Sequence, residues 1–265
     1  MRKTVLEAVG LRRSYGSVPA VDDVSFRLSE GGSLGIVGES GSGKTTTARI
    51  VVGLEHADGG RVAVHGRDRG ERRRGRSERL ARAREVQMVF QDPFLSLDPR
   101  VTVGGALRET LRLHFPDADH GRRVTELLDQ VGLGAREADA LPRQLSGGQR
   151  QRVAIARALA VEPAVLVLDE AVAALDVSVQ AQILNLLAEI RAETGIGYLF
   201  ITHDLGVVRC VTDEVIVMRR GRIVESGPTE RVLAAPEHPY TRLLLESVPR
   251  PGWDPRRIAA ARRAL

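Results

Sequence analysis

The sequence contains little cysteine, little lysine, few aromatic residues and no long apolar run. Cys210 is the single cysteine among 265 residues, which excludes a disulfide framework and a cysteine-rich metal site, and we expect its thiol to be buried. No stretch approaches about 18 consecutive apolar residues, so we predict no membrane-spanning helix. The first residues, MRKTVLEAVG, lack the apolar core of a secretory signal. These absences favour a chain that stays in the cytosol.

The basic charge is carried almost entirely by arginine. Lys3 and Lys44 are the two lysines, the other 37 basic residues are arginines, and the formal net charge is +5. Such a surplus first suggests nucleic acid. However, residues 61–84 alone carry a net charge of +7, which leaves the rest of the chain at −2, and this segment has no aromatic residue for stacking on bases. It therefore predicts a solvated loop and helix face, with a phosphate-backbone or lipid-headgroup patch as the alternative.

The apolar patterns predict an α/β protein. Residues 1–32 alternate in short runs broken by glycine, which indicates a small antiparallel β unit. A strand–loop–helix follows, and from about residue 93 to 163 the spacing becomes helical. The later runs AVLVLDE and GYLFIT are typical of buried parallel strands, and EVIVM with GRIVESG resembles a closing hairpin. The sum predicts a P-loop α/β core with a parallel sheet, an N-terminal antiparallel β subdomain and a helical insertion.

A glycine-rich phosphate-binding motif follows the strand-like run SLGIVG. Residues 38–45 read GESGSGKT, a complete G-x-x-x-x-G-K-T motif. Glycines let backbone N–H groups curl around a phosphate, and the start of the following helix adds its positive dipole. Lys44 offers a compact cation to the β- and γ-phosphate oxygens, and Thr45 offers a hydroxyl to Mg²⁺. The predicted phosphate site consists of Gly38, Glu39, Ser40, Gly41, Ser42, Gly43, Lys44, Thr45 and Thr46.

A pair of acids completes the predicted metal site. The apolar residues 165–168 end in Asp169 and Glu170, and residues at the carboxyl end of such a strand face the ligand crevice of an α/β sheet. We expect Asp169 to hold the Mg²⁺ shell and Glu170 to orient or deprotonate an attacking water. Kinases, GTPases and many ATPases share both motifs, so these motifs alone do not identify the function.

Residues 145–149, LSGGQ, form a more specific motif. They open the helical run RQRVAIARALA, in which Ser146 can cap the helix and two glycines expose its N–H groups to an anion. Gln149 lies 20 residues before Asp169. With its neighbours the motif resembles the signature of ATP-binding cassette (ABC) ATPases, and the resemblance spans nearly the whole chain. It implies ATP as the nucleotide, with Mg²⁺, and together with His203 the signature excludes a P-loop kinase.

The resemblance to ABC ATPases assigns roles to further residues. Tyr15 matches the aromatic that stacks on adenine, and Gln91 matches the glutamine that touches Mg²⁺ and senses a membrane partner. His203 matches the histidine that faces the γ-phosphate and positions Glu170. In this family the nucleotide lies between the P-loop of one subunit and the signature of another, and Asp176 matches the loop that crosses this interface. The residues implied to act in catalysis are Lys44, Gln91, Glu170 and His203, and those implied to complete the nucleotide site are Ser146, Gly147, Gly148 and Gln149.

Two stretches resemble one branch of the family, the ATPases of oligopeptide, dipeptide and nickel importers. They are residues 91–100, QDPFLSLDPR, and residues 237–245, EHPYTRLLL. The resemblance implies an ATP-hydrolysing subunit on the cytoplasmic side of the cell membrane that powers uptake of peptides, nickel or related small solutes. Its implied partners are membrane permease subunits, a second ABC ATPase subunit and, indirectly, a solute-binding protein, and no nucleic acid is expected.

The resemblance also predicts the domain organisation. A single ABC ATPase domain covers residues 1–250. Within it, residues 1–93 and 160–235 form the RecA-like core with its β subdomain, and residues 94–159 form the helical signature subdomain. Residues 236–265 form a short C-terminal extension of the oligopeptide-transporter type.

One stretch departs from the family pattern, and two other functions stay open. Where the branch reads DEPTSALD, this chain reads DEAVAALD at 169–176, so Ala173 replaces a serine that faces the neighbouring subunit, while both acids remain. A soluble ABC ATPase acting on nucleic acid or ribosomes is one alternative, suggested by the basic segment. An exporter ATPase is the other, because it shares every catalytic motif. Co-fractionation with membranes, against binding to ribosomes or DNA, distinguishes the first alternative from an importer.

Overall fold

The computed structural model of the protein describes residues 3–70, 75–92 and 97–248. Its strands and helices alternate in the way that the apolar patterns predict. The strands are β1 (Thr4–Tyr15), β2 (Val18–Ser29), β3 (Ser33–Val37), β4 (Gly59–Val64), β5 (Arg67–Asp68), β6 (Val86–Val89), β7 (Val165–Asp169), β8 (Gly197–Ile201), β9 (Glu214–Arg219) and β10 (Arg222–Pro228). The helices are α1 (Lys44–Val52), α2 (Arg76–Glu85), α3 (Val103–His114), α4 (His120–Gln130), α5 (Ala135–Ala138), α6 (Gly147–Leu159), α7 (Val177–Thr194), α8 (Leu205–Val211), α9 (Thr229–Ala234) and α10 (Pro239–Glu246).

An antiparallel sheet contains the N-terminal strands. Its order is β2-β1-β4-β5, and β1 pairs with β2 from Thr4 opposite Ser29 to Tyr15 opposite Val18. Gly16, with a φ of +61°, forms the tight turn between the two strands. The prediction of an antiparallel β unit over residues 1–32 is therefore confirmed.

The second sheet is mostly parallel and carries the nucleotide motifs. Its order is β10-β9-β3-β8-β7-β6, and every neighbouring pair is parallel except the β9–β10 hairpin. Every residue of β3, β7 and β8 is buried, as expected for parallel strands that are covered on both faces. The predicted α/β class, the parallel sheet and the closing hairpin are all confirmed.

The two faces of the parallel sheet pack against different layers. Val165 and Val167 of β7 belong to a core cluster with α1 and the antiparallel sheet. Leu166 and Leu168 belong to a second cluster with α3, α4, α6 and α7. Full burial of each such side chain stabilises the fold by about 1.5–3 kcal/mol. Because β3 and β7 run in parallel, the P-loop after β3 and Asp169 at the end of β7 lie at the same edge of the sheet.

The helical region between β6 and β7 has well-defined helix starts. Side-chain oxygens of Thr102, Asp119 and Ser146 accept hydrogen bonds from backbone N–H groups in the first turns of α3, α4 and α6. Buried leucines and valines on these helices pack together in the second cluster. The structure thus contains the helical insertion that the sequence predicts. Its treatment as a separate signature subdomain at residues 94–159 stays a prediction.

A third, smaller cluster attaches the C-terminal helices to the parallel sheet. It contains Tyr240 of α10, residues of α9, and Val37, the last residue of β3. Residues 236–248 of the predicted C-terminal extension are therefore partly integrated into the fold, and residues 249–265 lie outside the described residues.

Three details differ from the sequence-based expectations. Cys210 is exposed on α8 and not buried; it lies near the end of this seven-residue helix, whose buried residues are Val207 and Val208. Arg69 is buried and not solvated, because its guanidinium donates to the Glu85 carboxylate at 3.0 Å. The strand before Gln91 ends at Val89, one residue earlier than the apolar run VQMVF, which ends at Phe90, predicts.

The structure describes part of the basic segment of residues 61–84, and it also bears on the prediction that no helix spans a membrane. In the described part of the segment, α2 has no buried residue, which agrees with the predicted solvated face, and residues 71–74 lie outside the described residues. Within the described ranges, no helix has the length and apolar character needed to span a bilayer.

Candidate functional site

Two glycines of the P-loop are required by close backbone contacts. The loop of residues 38–43 joins β3 to α1. A Cβ atom on Gly38 would lie 2.3 Å from the Met218 carbonyl oxygen, and one on Gly43 would lie 2.2 Å from the Ala20 carbonyl oxygen. Their φ angles of +155° and +104° also lie in the region that favours glycine. The loop can therefore hold this shape only with glycine at both positions.

The start of α1 is open to an anion. Gly43 is the N-cap residue, so no side chain caps the first N–H groups, and the first turn carries no acidic residue. Ser40 and Gly41 are exposed at the tip of the loop, and Thr45 and Thr46 are half-buried at the helix start. Free N–H groups and the helix dipole together favour a phosphate at this position.

Lys44 is held inside the P-loop by the loop's own carbonyl groups. Its side chain is 5% exposed, and its ammonium donates to the carbonyl oxygens of Gly38 and Glu39, both at 2.8 Å. Burial lowers the pKa of Lys44, although the charges of Glu170, Asp169 and Glu39 oppose this shift. The ammonium therefore lies next to the position where the P-loop would take a phosphate, and carbonyl oxygens hold it there.

Asp169 and Thr45 form the second part of the site. Asp169 is buried at the end of β7, and the Thr45 hydroxyl lies 3.4 Å from its Oδ1 atom. Burial raises the pKa of Asp169 and the neighbouring Glu170 charge adds to the rise, whereas Thr45, Arg49 and Lys44 oppose it. This carboxylate is shielded from water, and among the described residues its side chain has one long hydrogen bond. A divalent cation would supply the positive charge and the ligand that it lacks.

Glu170 and His203 lie together beside Asp169. Glu170 has a left-handed backbone with a φ of +48°, and its N–H donates to the Ile201 carbonyl at the end of β8. Its Oε1 atom lies 3.2 Å from Nδ1 of His203. A non-glycine residue in this backbone region stores strain that the surrounding structure must balance. The Glu170 carboxylate and the His203 ring form a polar pair at the sheet edge.

The signature residues form a different cluster. Ser146 and Gln149 make a reciprocal capping box at the start of α6, in which Ser146 Oγ accepts from the Gln149 N–H at 3.2 Å and Gln149 Oε1 accepts from the Ser146 N–H at 2.9 Å. Gly148 is next to Val179 of α7, so closely that a Cβ atom on it would lie 2.5 Å from Val179 Cγ1. The glycines of the signature therefore let α6 approach the start of α7.

Asp176 caps α7 beside this signature cluster. Its Oδ1 atom accepts from the Val179 N–H at 2.9 Å and from the Ser178 hydroxyl at 2.7 Å. These hydrogen bonds, first that of Val179, lower the pKa of Asp176. Within one chain Asp176 therefore has a helix-capping role, and its implied place at a subunit interface stays a prediction.

Tyr15 and Gln91 lie apart from the P-loop cluster, which consists of Lys44, Thr45, Asp169, Glu170 and His203. The Tyr15 hydroxyl donates to Glu55 Oε1, and the Arg13 guanidinium lies 5.1 Å from the centre of the Tyr15 ring. Tyr15 remains exposed, so the outer face of its ring is available to a flat ligand. Gln91 is exposed just after β6, and among the described residues no hydrogen bond joins it to Thr45 or Asp169. The stretch QDPFLSLDPR lies outside the described residues at 93–96.

Tyr240 and Arg49 also lie beside the site, although the sequence motifs did not predict them as site residues. The Tyr240 hydroxyl accepts a hydrogen bond from the Glu39 N–H at 3.1 Å, although the two residues are 201 positions apart. Arg49 contributes a positive charge near Asp169. Its position on α1, one turn after Lys44 and Thr45, is a helical spacing that could have indicated it. For Tyr240 the EHPYTRLLL stretch was the available signal, but a family segment by itself does not indicate a contact.

The structure thus brings Lys44, Thr45, Asp169, Glu170 and His203 to one edge of the sheet. A cation, a hydroxyl, a buried carboxylate and a carboxylate–imidazole pair surround the open start of α1. These groups can bind a phosphate chain, hold a divalent cation and orient water at a terminal phosphate. Among the described residues, no hydrogen bond joins this cluster to the signature cluster around Ser146.

The sequence matches two protein families. Residues 21–173 match the family described as "ABC transporter", and residues 224–264 match the family described as "Oligopeptide/dipeptide transporter, C-terminal region". The second match includes α10 and Tyr240.

Curated relatives cover nearly the whole chain. It is 44% identical over 261 residues to the oligopeptide transport ATP-binding protein OppF of Bacillus subtilis, covering 96% of this chain and 85% of that protein. It is 48% identical to the oligopeptide transport ATP-binding protein OppD of Mycobacterium tuberculosis, covering 95% of this chain and 40% of that protein. It is also 48% identical to the glutathione import ATP-binding protein GsiA of Escherichia coli, covering 90% of this chain and 38% of that protein. The chain spans about two fifths of the length of the latter two relatives.

Solved structures share the same fold. One is cbiO1 of Clostridium perfringens, described as part of the ABC transporter complex cbiONQ, with a TM-score of 0.79, 29% identity, and coverage of 88% of this chain and 92% of that one. Another is a dimeric ATP-binding cassette in a post-hydrolysis state bound to ADP and Pi, with a TM-score of 0.74, 29% identity, and coverage of 84% of this chain and 98% of that one.

Proposed function

Because the chain belongs to the ABC transporter family and is an ATP-hydrolysing subunit of it, we propose that it powers the uptake of oligopeptides or similar small solutes. The observation that carries the proposal is the presence in one chain of the P-loop cluster and of the C-terminal segment typical of oligopeptide and dipeptide transporters. Relatives named as oligopeptide and glutathione import proteins support a peptide-like cargo. Nickel, which the sequence resemblance also allowed, has no such support.

The P-loop cluster is proposed to hold ATP together with Mg²⁺. The start of α1 and Lys44 bind the phosphate chain, and the burial of the Asp169 carboxylate beside the Thr45 hydroxyl supports a cation at this position. Thr45, Asp169 and Gln91 are the proposed groups around Mg²⁺. When bound, Mg²⁺ would neutralise negative charge on the phosphate oxygens. Tyr15 is the proposed stacking partner of adenine, and Thr46 adds an N–H group at the helix start.

Glu170 and His203 are proposed to act on the water that attacks the terminal phosphate. The Glu170 carboxylate lies beside Asp169 and can accept a proton from that water or orient it. His203, at 3.2 Å from Glu170 Oε1, fixes the direction of the carboxylate. Lys44 stabilises the negative charge that develops on the phosphate oxygens.

A complete site is proposed to need two ATPase subunits. Ser146, Gly147, Gly148 and Gln149 lie in a cluster separate from Lys44, so the signature of one chain would complete the P-loop site of another. A solved relative is a dimeric cassette, which supports this arrangement. The same family membership supports permease partners and a peripheral position on the cytoplasmic side of a membrane. A solute-binding protein is the proposed indirect partner.

We propose the same domain division that the sequence predicts. The two sheets with α1 would form the RecA-like core and β subdomain, and residues 94–159 would form the signature subdomain. The buried apolar residues of α3, α4 and α6 all lie on one face of the parallel sheet, opposite α1 and the antiparallel sheet, and this placement supports the division, although β7, β8 and α7 share their cluster.

An exporter ATPase and a nucleic-acid ATPase have less support. The relatives that cover this chain are named as oligopeptide transport and glutathione import proteins. In the described part of the basic segment, which suggested nucleic acid, Arg69 is buried in an ion pair with Glu85, whereas α2 has no buried residue. The names of the relatives therefore carry the preference for an importer.

The proposed function is tested by the substitution Glu170→Gln in the transporter reconstituted with its permease. We expect ATP hydrolysis and solute uptake to fall together by about 100-fold or more, because the amide cannot accept a proton. ATP binding, measured by equilibrium titration, should remain. The control is Glu189→Gln on the exposed face of α7, which should change neither rate. Unchanged hydrolysis in Glu170→Gln would remove Glu170 from the proposed role.

A further inference from the structure

Helix α10 of the C-terminal segment contacts the P-loop through one hydroxyl group. Tyr240 accepts a hydrogen bond from the Glu39 N–H at 3.1 Å. Tyr240 and Leu243 of α10 line a cavity of about 200 Å³ together with residues 39–42 of the loop and Arg219. The P-loop is thus approached from its outer side by a segment that no catalytic motif includes.

The position of the Tyr240 ring is fixed from several directions. The ring is 2% exposed and belongs to the cluster that includes Val37, the residue immediately before the loop. The Arg219 guanidinium lies 4.9 Å from the centre of the ring, at a distance typical of a cation–π contact. A ring held in this way presents its hydroxyl at a defined point.

The start of α10 is also anchored to β10. The Glu225 carboxylate accepts hydrogen bonds from the N–H groups of Glu237 at 2.8 Å and His238 at 3.0 Å. His238 then caps the helix, because its Nδ1 atom accepts from the Tyr240 N–H at 3.1 Å. A continuous set of hydrogen bonds therefore runs from β10 to the residue that contacts the loop.

The peptide unit between Gly38 and Glu39 is held at both ends. Its N–H donates outward to the Tyr240 hydroxyl, and its carbonyl oxygen accepts inward from the Lys44 ammonium at 2.8 Å. A peptide unit is planar, so a partner that fixes the direction of the N–H also fixes the direction of the carbonyl. Tyr240 therefore sets the orientation of the group that holds Lys44.

We propose that Tyr240 is a positioning residue for ATP binding, which acts by orienting the Gly38–Glu39 peptide and, through it, Lys44. The proposal rests on the proposed role of the P-loop in binding ATP. It gives the C-terminal segment a function in the nucleotide site, since any movement of α10 would change the pre-formed shape of the loop. Pre-organisation of this kind affects affinity more than the chemical step.

The test is the substitution Tyr240→Phe in the full chain, which keeps the buried ring and removes the hydroxyl. We expect the Kd for MgATP to rise by about 2- to 10-fold, the range for loss of one net hydrogen bond. In the reconstituted transporter the KM for ATP should rise by a similar factor with little change in kcat. The Glu39 amide proton should exchange with solvent faster, as seen by NMR, because its acceptor is gone.

The matched control is Tyr198→Phe. Tyr198 is 1% exposed on β8, and none of the described residues forms a hydrogen bond with its hydroxyl. This variant removes a hydroxyl from an equally buried ring and should leave the Kd for MgATP unchanged. An equal rise in both variants would indicate general loosening and would overturn the proposal.

A second variant covers the case in which Tyr240→Phe does not fold. Arg219→Met removes the cation from the ring and keeps the hydroxyl, so it should raise the Kd in the same direction but by less. Lys44→Ala distinguishes a failure of the positioning role of Tyr240 from a failure of the proposed nucleotide site. If wild type binds MgATP and Lys44→Ala does not, while Tyr240→Phe binds like wild type, the positioning role is wrong and the proposed nucleotide site stands. If wild type does not bind MgATP, the proposed function itself fails.

Discussion

The shape of the phosphate loop depends on individual residues that have no side chain. Gly38 and Gly43 lie so close to the carbonyl oxygens of Met218 and Ala20 that no other residue fits. Gly41 is different, because a Cβ atom on it would meet nothing within 4 Å, although its φ of +78° still favours glycine. The motif contains three glycines here, and the structure separates those needed for space from the one needed only for its backbone angle.

This difference predicts unequal effects of two alanine substitutions. Gly38→Ala should lower the free energy of unfolding by about 2–6 kcal/mol, because backbone strain and overlap with the Met218 carbonyl add. Gly41→Ala should lower it by about 1–2 kcal/mol, the cost of a left-handed alanine without overlap. Urea unfolding of both variants measures the two values. Equal losses would show that the contact with Met218 is not a constraint on the loop.

At the scale of secondary-structure elements, the start of helix α10 depends on a glutamate that lies on strand β10. Glu225 of β10 accepts two backbone hydrogen bonds at the start of α10. Burial raises the pKa of Glu225, but the side chain of Thr241 and the N–H groups of Glu237 and His238, in that order, outweigh it, and the pKa lies below its ordinary value. An acid with a depressed folded pKa stabilises the fold above its ordinary pKa, and this stabilisation is lost as the pH falls through the folded value.

We therefore predict a pH-dependent effect of Glu225→Gln. Its melting temperature should be lower than that of wild type by roughly 1–4 °C at pH 7, the size expected for about one net hydrogen bond in a chain of this length. The difference should be constant at neutral pH and shrink as the pH falls below the ordinary range of glutamate, because the depressed pKa delays proton uptake by the wild-type carboxylate. Calorimetric melting curves from pH 7 down to the acid limit of folding test this. Glu214→Gln, on an exposed position of the same hairpin, is the control, and a difference that does not shrink at all as the pH falls would contradict the assignment.

The sequence predicted those parts of the site that local chemistry determines. Lys44, Thr45, Asp169 and Glu170 were predicted because a P-loop and an apolar strand ending in acids each have a local physical reason. The Tyr240 contact was not predictable in this way, because it joins residues 201 positions apart through a helix whose docking depends on the whole fold. The burial of Arg69 was missed for a related reason, since a run of arginines reads as solvated until the position of Glu85 is known.

For the whole molecule, the two clusters on one chain support the proposed need for a second ATPase subunit. The P-loop cluster contains Lys44, and the signature cluster contains Ser146, and each has its own set of hydrogen bonds. A nucleotide that bridges two chains would join the first cluster of one chain to the second cluster of the other. Such closure would give the pair of subunits two conformational states, closed around ATP and open after hydrolysis.

Mixing two inactive chains tests this arrangement. Lys44→Ala removes the cation from the P-loop, and Ser146→Arg blocks the signature, so each chain alone should be inactive. In a mixture, half of the dimers combine both variants and retain one intact site, so we expect up to about one quarter of the wild-type ATPase activity. The measurement is the ATPase rate of the equimolar mixture against each variant alone. No recovery would show that the active partner is a different subunit and not a second copy of this chain.

The contacts of Gly38 and Gly43 also bear on how this protein can change over evolution. Ala20 and Met218 confine the loop through their carbonyl oxygens, which every amino acid possesses. The confinement of the loop therefore does not depend on the chemistry of these two side chains. Met218 itself is fully buried, and its Cε atom would lie 3.2 Å from a Cβ atom on Gly43, so its side chain still has to fit beside the loop. The glycines have no alternative residue, and the shape of the loop thus fixes residue types mainly within the motif itself.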